Sequence, residues 1–189
     1  MTHLKLTRRA MLKSSVSALA LGAAQGCAQT APILGLSLND AHDIRKGMYG
    51  ALIEQEGLTE IGGSKHNSLI IQMHGTTSLS ASDDETAWCS SAVNWAAKKA
   101  GTKGTNSAAA RSWLDWEQGR SIPLEEAQRG DVVIFWRGSP SSWMGHVALY
   151  HGSAANSNDI LVLGGNQDDE LNISAYPKSR LLGVRRVVQ

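Results

Sequence analysis

Cys89 follows Thr86-Ala87-Trp88 and opens an apolar-periodic run that predicts a helix over residues 87–100, with Gly101 as its stop. A thiol in the first turn of a helix meets unpaired backbone N–H groups and the positive end of the helix dipole. Both favour a thiolate, and the N–H groups can also receive a developing oxyanion. A nucleophilic cysteine needs such a place, although a free cysteine is also a good small buried apolar residue. A sulfur nucleophile needs a base, and the chain has six histidines. His3 lies in the basic N-terminal stretch, His42 on an expected helix, and His66 and His74 among polar residues. His146 opens an expected strand directly after Gly145, and His151 closes it. Side-chain alternation puts His146 on one face of that strand and His151 on the other, so the two cannot easily share a metal. A junction of loop and strand brings His146 to the rim of a sheet, which makes it the better base.

A third group should orient the imidazole. The segment Leu163-Gly164-Gly165-Asn166-Gln167-Asp168 offers Asn166, with Gln167 and Asp168 as alternatives, and the same residues are also good turn chemistry. Trp88 and Trp143 flank the proposed nucleophile and base in sequence, and they are candidates for lining a substrate groove. Trp113, Trp116 and Trp136 read as core. No compact metal-ligand spacing is present, and neither metal nor cofactor is expected.

These residues need elements to position them. Asn39 or Asp40 can cap a first helix on which Ala41, Ile44, Met48 and Leu52 recur at helical spacing, stopped by Gly57 and Gly62-Gly63. Residues 67–74 predict a short helix, and residues 106–118 another that carries Trp113 and Trp116. Strands are predicted over residues 132–136, 146–151, 159–163, 171–176 and 182–188. Helices first and closely spaced strands afterwards argue an α+β domain with an antiparallel sheet.

The chain of 189 residues suits one domain, and its 42% hydrophobic content suffices for a core. A formal net charge of +1 gives no reason to expect a nucleic-acid partner. Residues 1–26 carry four of the 18 basic residues and none of the 17 acidic ones, so the remainder has a net charge of −3. The basic start and a short apolar stretch from Ser17 to Ala24 have the order of an export signal. The run Thr7-Arg8-Arg9-Ala10-Met11-Leu12-Lys13 resembles the twin-arginine motif of bacterial Tat export, which implies passage in a folded state to the periplasm. Ala24-Gln25-Gly26-Cys27 resembles a lipoprotein box, with Cys27 as the lipidated residue and membrane tether. Gly26-Cys27-Ala28 equally fits an ordinary signal-peptidase site. Residues 27–38 read as a tether and 39–189 as the single catalytic domain, expected to be a monomer. Cys89 is then an unpaired thiol in an oxidising compartment.

The ordered set Asp84-Glu85-Thr86-Ala87-Trp88-Cys89, Ala110-Arg111-Ser112-Trp113-Leu114, Gly130-Asp131-Val132-Val133, Gly145-His146-Val147 and Leu163-Gly164-Gly165-Asn166-Gln167 resembles the NlpC-like and CHAP superfamily of papain-related cysteine peptidases. The resemblance runs from about residue 40 to the C-terminus. It implies a papain-like α+β fold with N-terminal helices packed on an antiparallel sheet. It also implies hydrolysis of amide bonds in peptidoglycan or muropeptides, with Cys89 as nucleophile and His146 as base. The third position varies in the superfamily, so Asn166 is the weaker carry-over. Two other classes stand beside it. One is a non-catalytic wall-binding or effector-like module on the same fold. The other is a metallohydrolase using His66, His74 and His146.

Overall fold

The computed structural model describes residues 38–155 and 158–188. The expected export signal, Cys27 and all but the last residue of the expected tether lie outside the described residues. Three helices come first: α1 (Leu38–Ile53), α2 (Ser68–His74) and α3 (Cys89–Lys99). On α1, Met48 and Leu52 are fully buried, and Ile44 packs beside them as the spacing predicts. Asn67 caps α2 by accepting the Leu69 N–H, which satisfies one of the free donors of the first turn. Every residue of α3 from Cys89 to Ala97 is buried, because the helix is enclosed by α1, α2 and the sheet. Its small residues allow that: the Ala100 methyl sits against Gly47 of α1.

The six strands are β1 (Gly119–Ile122), β2 (Val132–Trp136), β3 (Gly145–Ser153), β4 (Asp159–Gln167), β5 (Glu170–Pro177) and β6 (Leu181–Val187). They form one antiparallel sheet in the order β1-β6-β2-β3-β4-β5. Alternation sorts the strands into two layers of core. Val132, Ile134, Val147, Leu149 and Leu163 pack towards the helices. Val133, Phe135, Ala148, Ile160, Val162 and Val184 build a second cluster on the far face.

Two expectations, for residues 106–118 and for Trp136, need correction, and one strand was not expected. Residues 106–118 do not form an α-helix. Only a 3-10 turn, Ala110–Asp115, appears there. Asn106 adopts a positive φ of 55°, and its N–H is taken by the Asn94 side chain, so the chain is tied to α3 before a helix can start. Trp113 then reaches back to Ser90 Oγ (2.9 Å), and Trp116 to the Lys103 carbonyl (2.9 Å). Both indoles are core, as expected, and meet edge to face. Trp136 is not core. It lies half-buried under the Arg180 guanidinium. The strand not expected is β1, whose Gly-Arg-Ser-Ile carries no alternating pattern and is recruited by β6.

A buried ion cluster joins helix and sheet. Asp131, at the entrance to β2, accepts Arg186 Nη2 (2.7 Å) and Nε (3.0 Å) and the Gln128 N–H (2.7 Å), with Arg45 Nε of α1 at 3.9 Å. Arg45 is also hydrogen-bonded to the Arg129 carbonyl. Removing the carboxylate charge leaves two guanidinium groups facing each other in a poorly solvated place. Asp131→Asn is expected to cost about 2 kcal/mol of unfolding free energy, measured by urea denaturation. A stability unchanged from wild type would show that water supports the two arginines.

Candidate active site

Past the pair Leu149–Leu163, β3 and β4 part. The peptide N–H of Val147 is therefore not spent on β4, and it donates to the Cys89 sulfur at the start of α3. The neighbouring residue on β3 is His146, the base candidate, whose ring stacks on Tyr176 beside the far-face cluster. The Cys89 side of the gap is walled by Trp88, which precedes the thiol and is fully buried. Its indole donates to Glu60 Oε1 (2.7 Å) and packs against Gly165, where a Cβ would meet the ring at 2.2 Å. Trp88 is thus a wall of the core and does not line a groove, contrary to expectation. Trp143, by contrast, is 82% exposed on the loop of residues 137–144.

His146 is fully buried and held on three sides. Its Nε2 lies 3.0 Å from Gln167 Oε1, its Nδ1 lies 3.2 Å from Arg137 Nη2, and its ring stacks on Tyr176 at 4.8 Å and 7°. A guanidinium only donates, so Nδ1 accepts and the ring proton sits on Nε2, donated to Gln167. Gln167 is itself oriented, because its amide nitrogen donates to the Asn172 carbonyl and to Asn172 Oδ1, both at 2.8 Å.

The amide that holds the imidazole therefore belongs to Gln167, the alternative, and not to Asn166. A β-bulge is the reason. Gly164 pairs with Asn172 and Gln167 with Glu170, so β4 spends one residue more than β5 over the same distance. The extra residue moves Gln167 onto the face of Gly164 and His146. Simple alternation would have put Asn166 there. Asn166, at φ 56°, instead donates to Glu60 Oε1 (3.0 Å). Asp168 also has a positive φ, 55°, in the turn beyond.

Electrostatics also differ from the expectation of a thiolate stabilised at a helix end. Burial pushes the Cys89 thiol up, and the Val147 N–H and the Arg137 charge offset this only in part. Burial and the Arg137 charge push His146 down to about 3, with the Gln167 hydrogen bond opposing them. In the free protein both groups are neutral, and no hydrogen bond joins Cys89 to the His146 ring among the described residues.

The consequence for stability has a definite sign. An unfolded histidine titrates near 6.5, and folded His146 stays neutral down to about 3. The stability contributed is complete above pH 6.5 and is lost as pH falls through that window, at up to about 1.4 kcal/mol per pH unit. Buried His74, whose Nδ1 faces Ser91 Oγ at 3.0 Å, is shifted down by burial and adds in the same direction. Unfolding free energy should drop between pH 7 and pH 5, and His146→Gln should flatten that drop. An identical slope in the variant would remove His146 as its source.

The three histidines of the metallohydrolase reading are held apart by different partners: His66 by Asp84, His74 by Ser91, and His146 by Gln167 and Arg137. No metal-binding group of three His, Cys, Asp or Glu side chains occurs among the described residues. Sequence reasoning missed Arg137 and Tyr176. Arg137 was within reach of it, since pairing β2 with β3 as a hairpin places Trp136 opposite Gly145 and brings Arg137 beside His146.

No family model matches this sequence, and no curated protein is significantly similar to it. Solved structures do share its fold. A point-mutated form of the Resuscitation Promoting Factor Interacting protein RipA aligns with a TM-score of 0.51 and 17% identity, over 82% of this chain and 66% of that one. A Staphylococcus aureus protein described as similar to a lipoprotein of the NLP/P60 family aligns with a TM-score of 0.46 and 23% identity. That match covers 85% of this chain but only 45% of the staphylococcal one. The P60 domain of an antigen from M. avium subspecies paratuberculosis aligns with a TM-score of 0.48 and 16% identity, over 79% and 98%. At these identities the likeness is one of fold: helices on a six-stranded antiparallel sheet, α+β as expected.

Proposed function

We propose that this chain is a cysteine hydrolase that cleaves amide bonds in bacterial peptidoglycan, as a stem-peptide endopeptidase or an amidase. The observation that carries the reading is the gap between β3 and β4. There the thiol at the tip of α3 is bonded to the amide next to His146, and the imidazole is oriented by a locked amide. The family resemblance of the motifs supplies the substrate class.

Because thiol and imidazole both rest neutral, the proton moves as the sulfur attacks. Nδ1 of His146 takes the thiol proton while the S–C bond forms, and the tetrahedral oxyanion meets the N–H groups of the first turn of α3, which face the sulfur in the free protein. The imidazolium then gives that proton to the leaving amine as the C–N bond breaks. Water, deprotonated by the same nitrogen, attacks the thioester and releases a carboxylate and the thiol. Nδ1 is occupied by Arg137 in the free protein, so the guanidinium must move before the first step.

Residues 1–26 would deliver the domain through Tat export to the periplasm, with a lipid on Cys27 as its anchor. Among the described residues no helix is long and apolar enough to cross a membrane. Mass spectrometry of purified muropeptides incubated with the protein tests the reading, since it reports both turnover and the bond cut. A second reading is a wall-binding module without turnover, favoured by the engagement of both ring nitrogens and the sulfur in the free protein. Intact muropeptides together with retained binding to cell-wall sacculi would select it.

A further inference from the structure

We propose that Arg137 is the receptor for a carboxylate of the substrate, and that filling it releases Nδ1 of His146 for catalysis. The inference rests on the hydrolase reading and adds to it a substrate class: amides with a free carboxylate beside the scissile bond. Among the described residues no carboxylate lies within ion-pair distance of Arg137. The half-buried guanidinium spends its donors on two weak, neutral acceptors, the imidazole Nδ1 at 3.2 Å and the Tyr176 hydroxyl at 3.4 Å. Other arginines are satisfied differently. Arg45 and Arg186 share Asp131, Arg185 is held by the Leu114 carbonyl, and Arg111 by the carbonyls of Met144, Ser139 and Pro140. A bidentate carboxylate is a far better partner for a planar guanidinium than a single imidazole nitrogen.

The backbone around Arg137 is hydrogen-bonded on both sides. The Arg137 N–H donates to the Met144 carbonyl, and the Ser139 N–H donates to the Arg137 carbonyl. Arg111 clamps the outer half of the same loop. Arg137 is within hydrogen-bond distance of His146 and Tyr176, so an anion held there lies beside the imidazole. The exposed Trp143 on this loop gives an incoming peptide an apolar rim. Arg137 thus couples recognition to base release, and an amide lacking the carboxylate meets a base still capped.

Two experiments test this, and they separate it from the hydrolase reading. The first compares alkylation of Cys89 by anionic iodoacetate and neutral iodoacetamide. The rate ratio should favour iodoacetate in the wild type, fall about tenfold in Arg137→Gln, and be partly restored in Arg137→Lys. In the wild type alone, glutarate should slow iodoacetamide labelling, which keeps the proposal testable if the variants fold poorly. A ratio unmoved by Arg137→Gln, or no protection by glutarate, overturns it. The second compares hydrolysis of a muropeptide and its carboxamide form. A preference for the free acid that disappears in Arg137→Gln supports the proposal. Equal cleavage of both forms by wild type and variant overturns it while leaving the hydrolase standing. Cleavage of neither form overturns the hydrolase reading, and the inference with it as a statement about substrate, even if alkylation shows an anion site.

Discussion

Cys89→Ala is expected to lower hydrolysis by about 10⁴-fold or more, because the acyl-enzyme cannot form and the remaining groups act as a unit with the sulfur. The loss should come without unfolding. The side chain is small, and alanine fits a helix whose buried positions already include Ala92, Ala96 and Ala97. The cost is the Val147 N–H left without its acceptor, about 1 kcal/mol. Release of new amines from purified muropeptides measures the first quantity and thermal unfolding the second. A variant that keeps wild-type turnover would remove Cys89 from the chemistry and leave only the binding-module reading. A variant that unfolds would be replaced by Cys89→Ser, which keeps an acceptor for Val147 but is a far weaker nucleophile at neutral pH.

Gln167→Ala is expected to reduce kcat by about 10²-fold, and Asn166→Ala by about tenfold or less. The difference follows from contact. Gln167 Oε1 accepts the Nε2 proton, which fixes the tautomer that leaves Nδ1 as the basic nitrogen. Without that acceptor the proton can shift to Nδ1, and the ring keeps only its stacking on Tyr176 and the Arg137 contact. Asn166 touches neither ring nitrogen. It acts through Glu60, which joins it to the Trp88 indole and thus braces the segment before Cys89. A Gln167→Glu variant sharpens the test. Its carboxylate should favour the imidazolium and move the acid limb of kcat/KM upward from the low position set by burial. If Asn166→Ala is the more damaging change, the orienting role returns to Asn166.

The chain order of the site was legible because each residue type sits at an element boundary that sequence alone marks. Cys89 lies in the first turn of a helix expected over residues 87–100 and closed by Gly101, and the structure starts α3 two residues later, at Cys89. His146 begins a strand after a glycine, and β3 starts one residue before it. Pattern reading failed where long-range contacts decide the local conformation. The segment from Asn106 to Gln118 has helical spacing, but Asn94 and Ser90 of α3 capture its backbone first. Trp88 and Trp143 look alike in sequence, yet one is sealed under Gly165 and the other is open to solvent.

The sequence by itself determined the α+β class of the domain, the places of its three helices and of five of its six strands, and which residue types could serve as nucleophile and base. These follow from local periodicity, from glycine and proline punctuation, and from side-chain chemistry, none of which depends on distant partners. Only the tertiary structure decided which amide holds the imidazole, whether the thiol and the ring rest charged, and which residue caps Nδ1. The first turned on a single extra residue in the pairing of β4 with β5, which no one-strand pattern encodes. The second turned on burial, which outweighs the helix end. The third turned on the β2–β3 pairing that carries Arg137 back beside His146.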